Sequence, residues 1–286
     1  VTIGIEGSGS WGAGLAQFLV DHGHQVVEVQ RPSRPQRRGR GKSDPTDAEA
    51  AARAALAGTA APIKNRDGLG EMIRSLRTAR RSAAEMRTDA LNRMRALVVT
   101  APHDLRDQLR DLSVVDLVKT CQRLRPGSIT DPRAATKLAL RSLARRIRSL
   151  EEELRELDAH LLELTKRAKP ELLAIKGVGP DVAGTLIVTA GDNPHRLHSE
   201  AAFARLCGVA PLPASSGRTD RHRLNRGGDR QADKALWRIV ISRIRSRDQP
   251  TIHYLERRMA QGLTKRETIR CLKRYVAREV YQALTS

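Results

Sequence analysis

Aromatic side chains are nearly absent: two Trp, three Tyr and two Phe make up 2% of 286 residues. Hydrophobic residues still reach 40%, so the chain can bury cores, built from Leu, Ala, Val and Ile. No apolar run approaches the ~20 residues of a membrane span, and no short apolar stretch follows a charged start as in a signal peptide. A membrane protein or secreted precursor is not indicated; the expected location is the cytoplasm, with the nucleoid. The three cysteines, Cys121, Cys207 and Cys271, are far apart and unpaired in spacing, which excludes a disulfide framework and a structural zinc site. Acidic residues are also in deficit, with 32 Asp and Glu against 52 Lys and Arg and a formal charge of +20.

Of the basic residues 42 are Arg and only 10 are Lys. Guanidinium grips phosphate through two parallel hydrogen bonds, whereas ammonium acts as a point charge. A GC-rich genome accounts for Arg over Lys but not for the net charge; a partner with many phosphates accounts for both. Nucleic acid is the expected partner, with binding that weakens steeply as salt rises. By length the chain holds one to three domains.

Thr2 to Glu6 reads as a strand, Gly7-Ser8-Gly9-Ser10-Trp11-Gly12 as a turn, Leu15, Phe18 and Leu19 as a helix face, and Gln25 to Gln30 as a second strand. Together they predict a β-α-β unit. Gly7, Gly9 and Gly12 match the dinucleotide fingerprint, with Glu28 near the place of a ribose ligand. Against that reading, Glu6 would stand beside the pyrophosphate and repel it. In the alternative, Glu6 ends its strand where α/β sheets place their chemistry and serves as a metal ligand.

Residues 31–42 carry Arg37, Arg38, Arg40 and Lys42 with too little apolar surface to pack, as expected of a segment that orders on a polyanion. Ser43-Asp44-Pro45-Thr46-Asp47-Ala48 follows, then an Ala-rich helix to Leu56 and Gly58. Asp44 suits an N-cap, Pro45 the first helical position and Asp47 the first turn, so capping alone explains these residues. Two carboxylates three residues apart at a helix start also face one side, as a hard cation requires.

Ile5-Glu6-Gly7-Ser8-Gly9-Ser10 and Lys42-Ser43-Asp44-Pro45-Thr46-Asp47-Ala48 resemble two motifs of the DEDD-type insertion-sequence transposases of the IS-one-ten family, relatives of the Piv DNA invertase. The resemblance implies an α/β RNase H/RuvC-like nuclease domain over residues 1–62, in which four carboxylates bind Mg²⁺ or Mn²⁺. Glu6, Asp44 and Asp47 take the second, third and fourth places. The first Asp is expected on a strand ahead of Val1, so the domain is expected to be partial.

Residues 63–170 are expected to be helical. Met72, Leu76, Ala79, Ala83, Met86 and Ala90 recur at steps of four and three, and Leu143, Ile147, Leu150, Leu154, Leu157, Leu161 and Leu164 continue that alternation more sharply. This is a coiled-coil seam. An internal hairpin of the two segments and a dimer arm both satisfy it; the family resemblance implies assembly, hence a homo-oligomer.

Residues 171–286 are expected to form a mainly helical C-terminal transposase domain. Gly177 and Gly179 in Ile175-Lys176-Gly177-Val178-Gly179-Pro180 suit a helix-hairpin-helix element whose backbone N–H groups face a phosphate, although a packing corner also needs glycines. Ser215-Ser216-Gly217 lies in a Pro-containing loop, and Arg218, Arg221, Arg223, Arg226 and Arg230 crowd the next residues. A hydroxyl amid guanidinium groups suits phosphoryl transfer. The segment from Pro211 to Gly217, followed by Arg223-Leu224 and Gly227-Gly228, resembles the second conserved domain of the same family, which carries a catalytic serine. By that resemblance Ser216 is the nucleophile, with Ser215 competing; from the Arg cluster itself, Arg218, Arg223 and Arg230 are expected to clamp phosphate. The final helices place Trp237, Ile241, Ile244, Leu272, Val276 and Val280 in a core. The whole implies a transposase or recombinase that cuts and rejoins the DNA of a mobile element, guided by a noncoding RNA. The competing expectations are a relic that only binds nucleic acid and a dinucleotide enzyme.

Overall fold

A computed structural model describes residues 1–29, 44–58, 60–63, 68–193, 197–213, 222, 223, 225 and 227–286. In chain order the elements are β1 (Thr2–Glu6), α1 (Ala13–Asp21), β2 (Gln25–Val29), α2 (Asp44–Leu56), β3 (Ala61–Pro62), α3 (Leu69–Thr100), α4 (His103–Leu109), α5 (Val114–Arg123), α6 (Pro132–Ala168), α7 (Pro170–Ala174), α8 (Pro180–Ala190), α9 (Glu200–Leu206), β4 (Leu212–Pro213), β5 (His222–Arg223), α10 (Arg230–Arg245), α11 (Gln249–Ala260) and α12 (Lys265–Thr285). They form two compact units: residues 1–71 with 186–286, and residues 72–185. Among the described residues no helix is long and apolar enough to cross a membrane.

In the first unit β1 and β2 run parallel, Thr2 beside Gln25 through Glu6 beside Val29, and β3 adds antiparallel to β2. The expected β-α-β unit is present. Because side chains alternate along a strand, Ile3, Ile5 and Val26 share one face, where they pack with Ala16, Leu19 and Ile63. α1 covers that face closely because Gly12 has no side chain: a Cβ there would stand 2.8 Å from Ile5 Cγ2. The opposite face is covered by α2, whose Ala51 carbonyl oxygen would lie 3.1 Å from a Cβ on Gly4. Helices on both sides of a parallel pair give the α/β layering expected from the sequence. Of the expected helix face Leu19 packs inward, but Leu15 and Phe18 are each 57% exposed and only Ala16 of α1 is fully buried.

Apart from β4 and β5, the described elements in the rest of this unit are helices. α12 packs against α9, α10 and α11, and Leu272, Val276 and Val280 of α12 are buried along with Leu236, Ile239 and Val240 of α10. Trp237, expected in the core, is 43% exposed; the buried stripe of α10 passes through Leu236 and Ile239 instead. Two ion pairs join α10 to α12, Lys273 with Asp233 at 2.5 Å and Arg243 with Glu279 through bonds of 2.6 and 3.1 Å. Asp192 and Asn193 join the C-terminal part to the N-terminal part: Asp192 Oδ1 accepts the Gly70 N–H at 2.7 Å, and Asn193 Nδ2 donates to the Ile63 carbonyl at 3.0 Å.

The second unit is a helical bundle. Its core joins Ala90, Met94 and Val98 of α3 to Leu140, Ala144 and Ile147 of α6, with α4 and α5 contributing Leu105, Leu109, Leu117 and Cys121. Arg80 pairs with Asp158 and Arg87 with Glu151, so the two long helices run antiparallel. Asp131 caps α6 by accepting the Ala134 N–H at 2.7 Å, and Pro132 opens it. The leucine stripe of α6 is largely buried inside the chain, at Ile147, Leu150, Leu161 and Leu164. On α3 the expected stripe holds at Ala83 and Ala90, which are buried, but not at Met72 and Met86, which are exposed; Ile73 and Met94 are buried as well. The neighbouring inward positions belong to Arg80 and Arg87, whose aliphatic stems pack while their guanidinium groups reach α6 carboxylates.

Candidate active site and nucleic-acid interface

Glu6 is the last residue of β1 and lies two positions beyond Gly4, hence on the face covered by α2. Asp47 is half-buried and precedes Ala51 by one turn, so it lies on the helix side that meets the strand. The close approach of Ala51 to Gly4 therefore sets both carboxylates on apposed surfaces. Glu28 stands beside Ile5 in register, on the opposite face. The glycines of the dinucleotide fingerprint have internal duties: Gly12 admits α1 against Ile5, and Gly7, at φ 68°, turns the chain, its carbonyl accepting the Ser10 N–H at 2.8 Å. Asp44 begins α2, but its side chain lies outside the described residues. Among the described residues no three His, Cys, Asp or Glu side chains are grouped to hold a metal. The available donors are carboxylate oxygens alone, which fit a hard cation such as Mg²⁺ or Mn²⁺ and not a soft one. Arg37, Arg38, Arg40 and Lys42 lie outside the described residues.

The serine segment is flanked in sequence by two short strands. β4 and β5 pair antiparallel, Leu212 with Arg223 and Pro213 with His222. Ser215, Ser216, Arg218 and Arg221 between them, and Arg226 after them, lie outside the described residues, as does the Arg223 side chain; Arg230 opens α10 and is exposed. Below the hairpin two backbones meet. A Cβ on Gly228 would stand 2.2 Å from Gly208 N and 2.3 Å from Gly208 Cα, and Asp229 N–H donates to the Leu206 carbonyl at 2.6 Å. The Asp229 carboxylate then caps α10, accepting N–H groups of Gln231 and Ala232 at 2.7 and 3.2 Å. The glycine pair thus fastens the hairpin to the end of α9.

A feature beyond the sequence motifs opens beside this hairpin. A cleft of about 880 Å³ is lined by Pro211, His222 and Asn225 at the hairpin base and by side chains of α11 and α12, among them Arg257, Arg258, Arg270, Arg274 and Arg278. Arg274 and Arg278 share Glu200; Arg257, Arg258 and Arg270 have no carboxylate partner among the described residues. Burial, and Arg278 nearby, lower the pKa of Arg274. Tyr254 and Tyr275 meet edge to face in the cleft with centroids 5.4 Å apart, and Arg257 stands 5.4 Å over the Tyr254 ring. Burial first, then Cys271 and Tyr275, push the Tyr254 phenol up to about 12, so it stays protonated at neutral pH. The signal for this site was the spacing of Arg266, Arg270, Arg274 and Arg278, a stripe along one helix face.

Farther back in the chain, α7 and α8 are joined by Gly177-Val178-Gly179, with Gly177 at φ 88° and Val178 N–H donating to the Ile175 carbonyl at 3.0 Å. A Cβ on Gly179 would meet nothing within 4 Å.

Two family models match the chain. Residues 1–101 match a DEDD-type model of the IS110 group, described as Transposase. Residues 169–256 match the Transposase IS116/IS110/IS902 family. No curated protein matches the chain. The first match contains Glu6, Asp44 and Asp47, and its DEDD character suggests an RNase H-like fold, in keeping with the parallel strands and flanking helices. The second spans the glycine turn and the whole serine hairpin. With both domains in this order, the chain belongs to the IS110-type insertion-sequence transposases, enzymes that cut and rejoin DNA.

Proposed function

We propose that this transposase cuts and rejoins the strands of its mobile element with a metal–carboxylate site and a serine nucleophile. The observation that carries the reading is the apposition of Gly4 and Ala51, which sets Glu6 and Asp47 on facing surfaces at the carboxyl end of β1. Glu6, Asp44 and Asp47 are the ligands we assign. Held there, Mg²⁺ or Mn²⁺ would stabilise negative charge as a phosphodiester breaks. Ser216 Oγ attacks phosphorus and loses its proton; the bond from phosphorus to the leaving strand oxygen breaks, and that oxygen takes up a proton. An incoming strand hydroxyl reverses the exchange and frees the serine. Arg218, Arg223 and Arg230 neutralise the non-bridging oxygens, while Arg221, Arg226 and the segment with Arg37, Arg38, Arg40 and Lys42 hold flanking phosphates.

In domain terms, we assign residues 1–62 to a RuvC-like nuclease domain, 63–170 to a helical, coiled-coil region and 171–286 to the transposase domain with the serine. Gly177 and Gly179 in the α7–α8 turn are assigned to DNA backbone contact; the open space over Gly179 supports this, because internal packing does not require a glycine there. We further propose a guide noncoding RNA and assembly into homo-oligomers through the long helices, where Met72 and Met86 are about half exposed, at 51% and 52%. The test is strand exchange between element-end and target duplexes in Mg²⁺, with and without element-derived RNA. Wild-type protein should yield joined products and a covalent protein–DNA adduct, and Ser216→Ala and Asp47→Asn should yield neither. Full exchange by Ser216→Ala refutes the nucleophile; wild-type binding without any cleavage assigns the chain to a relic that only holds nucleic acid.

A further inference from the structure

We infer that the cleft between the β4–β5 hairpin and helices α11 and α12 is a binding site for single-stranded nucleic acid, in which bases stack on Tyr275 and Tyr254 while Arg257 and Arg270 hold the phosphates. This deepens the transposase reading and rests on it for the kind of partner. Three observations converge. First, aromatic residues are scarce in this chain, yet two of its three tyrosines line this one cleft, with their rings at 72° to each other and Tyr275 49% exposed. A half-exposed ring costs apolar surface in water unless a flat partner covers it, and every base offers one. Second, the positive charge is cancelled only in part from within, where Glu267 is the one acidic residue of the lining and accepts from the Thr264 N–H and hydroxyl. Lys273 is taken up by Asp233, and Arg274 and Arg278 divide Glu200, which leaves Arg257, Arg258 and Arg270 facing the opening. Third, Arg258 Nε is buried and has no hydrogen-bond partner, although the guanidinium donates elsewhere to Gln261 Oε1 at 2.7 Å. A buried donor without an acceptor is costly, and it shows that the Arg258 guanidinium is held in the cleft wall by packing and by Gln261, not by a carboxylate.

A duplex hides its base faces, so stacking on these rings selects an unpaired strand. Pro211, His222 and Asn225, next to the paired strands β4 and β5, form one wall of the cleft.

The test uses full-length Ser216→Ala protein in EDTA, so that binding is read without chemistry. Fluorescence anisotropy is measured with fluorescein-labelled oligo-dT, oligo-U and a hairpin duplex at several salt concentrations. Tyr275→Ala should weaken single-strand binding about 5- to 100-fold, Tyr275→Phe should restore it, and duplex binding should move little. Arg257→Ala with Arg270→Ala should lower the salt slope for single strands by about 1.4, roughly 0.7 for each phosphate no longer neutralised. A preference for oligo-dT assigns the site to a DNA strand, and one for oligo-U to RNA. Wild-type affinities in both variants overturn the proposal, as does an equal loss on duplex and single strand. Cleft binding by the variant, together with no cleavage by wild-type protein in Mg²⁺, would sink the enzymatic reading alone.

Discussion

Gly227 and Gly228 are neighbours of the same type, yet alanine at the two positions should behave oppositely. On Gly228 a Cβ would lie 2.2 Å from Gly208 N and 2.9 Å from the Cys207 carbonyl carbon, all backbone atoms that cannot rotate away. Bringing the closest contact from 2.2 Å to an ordinary 3.4 Å needs a separation of about 1.2 Å. A shift of that size would stretch the bond from Asp229 N–H to the Leu206 carbonyl, now 2.6 Å, beyond hydrogen-bond range. Overpacking costs about 1–3 kcal/mol and a broken backbone hydrogen bond about as much again, so Gly228→Ala should destabilise the first unit by about 2–5 kcal/mol. At about 2–4 °C per kcal/mol for a unit of this size, its melting transition should fall by 4 °C or more. On Gly227 a Cβ meets only Asn225 Oδ1, at 3.4 Å, so Gly227→Ala should stay within about 0.5 kcal/mol. Scanning calorimetry of the two variants and wild type decides the matter. Equal melting of Gly228→Ala and wild type, or equal losses in both variants, would refute the claim that the α9 end and the hairpin are fastened backbone to backbone.

Other consequences can be measured. The Arg80–Asp158 pair, bonded at 2.5 and 3.1 Å with side chains 23% and 43% exposed, should give a coupling of about 1 kcal/mol or less in a double-mutant cycle; zero coupling would mean that only the Arg stem contributes. Burial raises the Cys121 thiol from 9.0 to about 11. The folded state therefore holds a proton that the unfolded state releases, so its stabilising effect is complete below pH 9 and is lost as pH rises to about 11. Chemical unfolding of the second unit should show a shallower loss over pH 9–11 in Cys121→Ala than in wild type, and identical slopes would contradict the burial. Asp192→Ala removes the acceptor of Gly70 N–H and should cost about 1 kcal/mol, visible as faster hydrogen exchange at the start of α3; unchanged exchange would mean that water replaces the carboxylate.

Short-range patterns were legible without coordinates. The strand, glycine turn and helix at the start, the Asp131-Pro132 opening of α6 and the leucine stripe of α6 each depend on residues within a turn or two of one another, so their order in the chain carries the structural information. The family motifs were legible for a related reason: Glu6 and the Asp44–Asp47 pair keep fixed positions on a strand end and a helix start. Where the reading slipped, the slip was one residue. Trp237 and Met72 are apolar but lie just off the buried stripe, and the inward places on α3 belong to Arg80 and Arg87, whose apolar stems are hidden behind a charged label.

Sequence alone determined which chemistry-bearing residues this transposase possesses and on which local elements they stand. Tertiary structure decided what faces what. Glu6 lies on the α2 side and Glu28 on the other because strand pairing and the Gly4–Ala51 contact join segments far apart in the chain. The same holds for the cleft, where the hairpin, α11 and α12 meet around Tyr254 and Tyr275. The physical reason is that face and register follow from alternation and helical turn, which are local, whereas a neighbour across a gap is selected by packing the whole unit, to which every distant segment contributes.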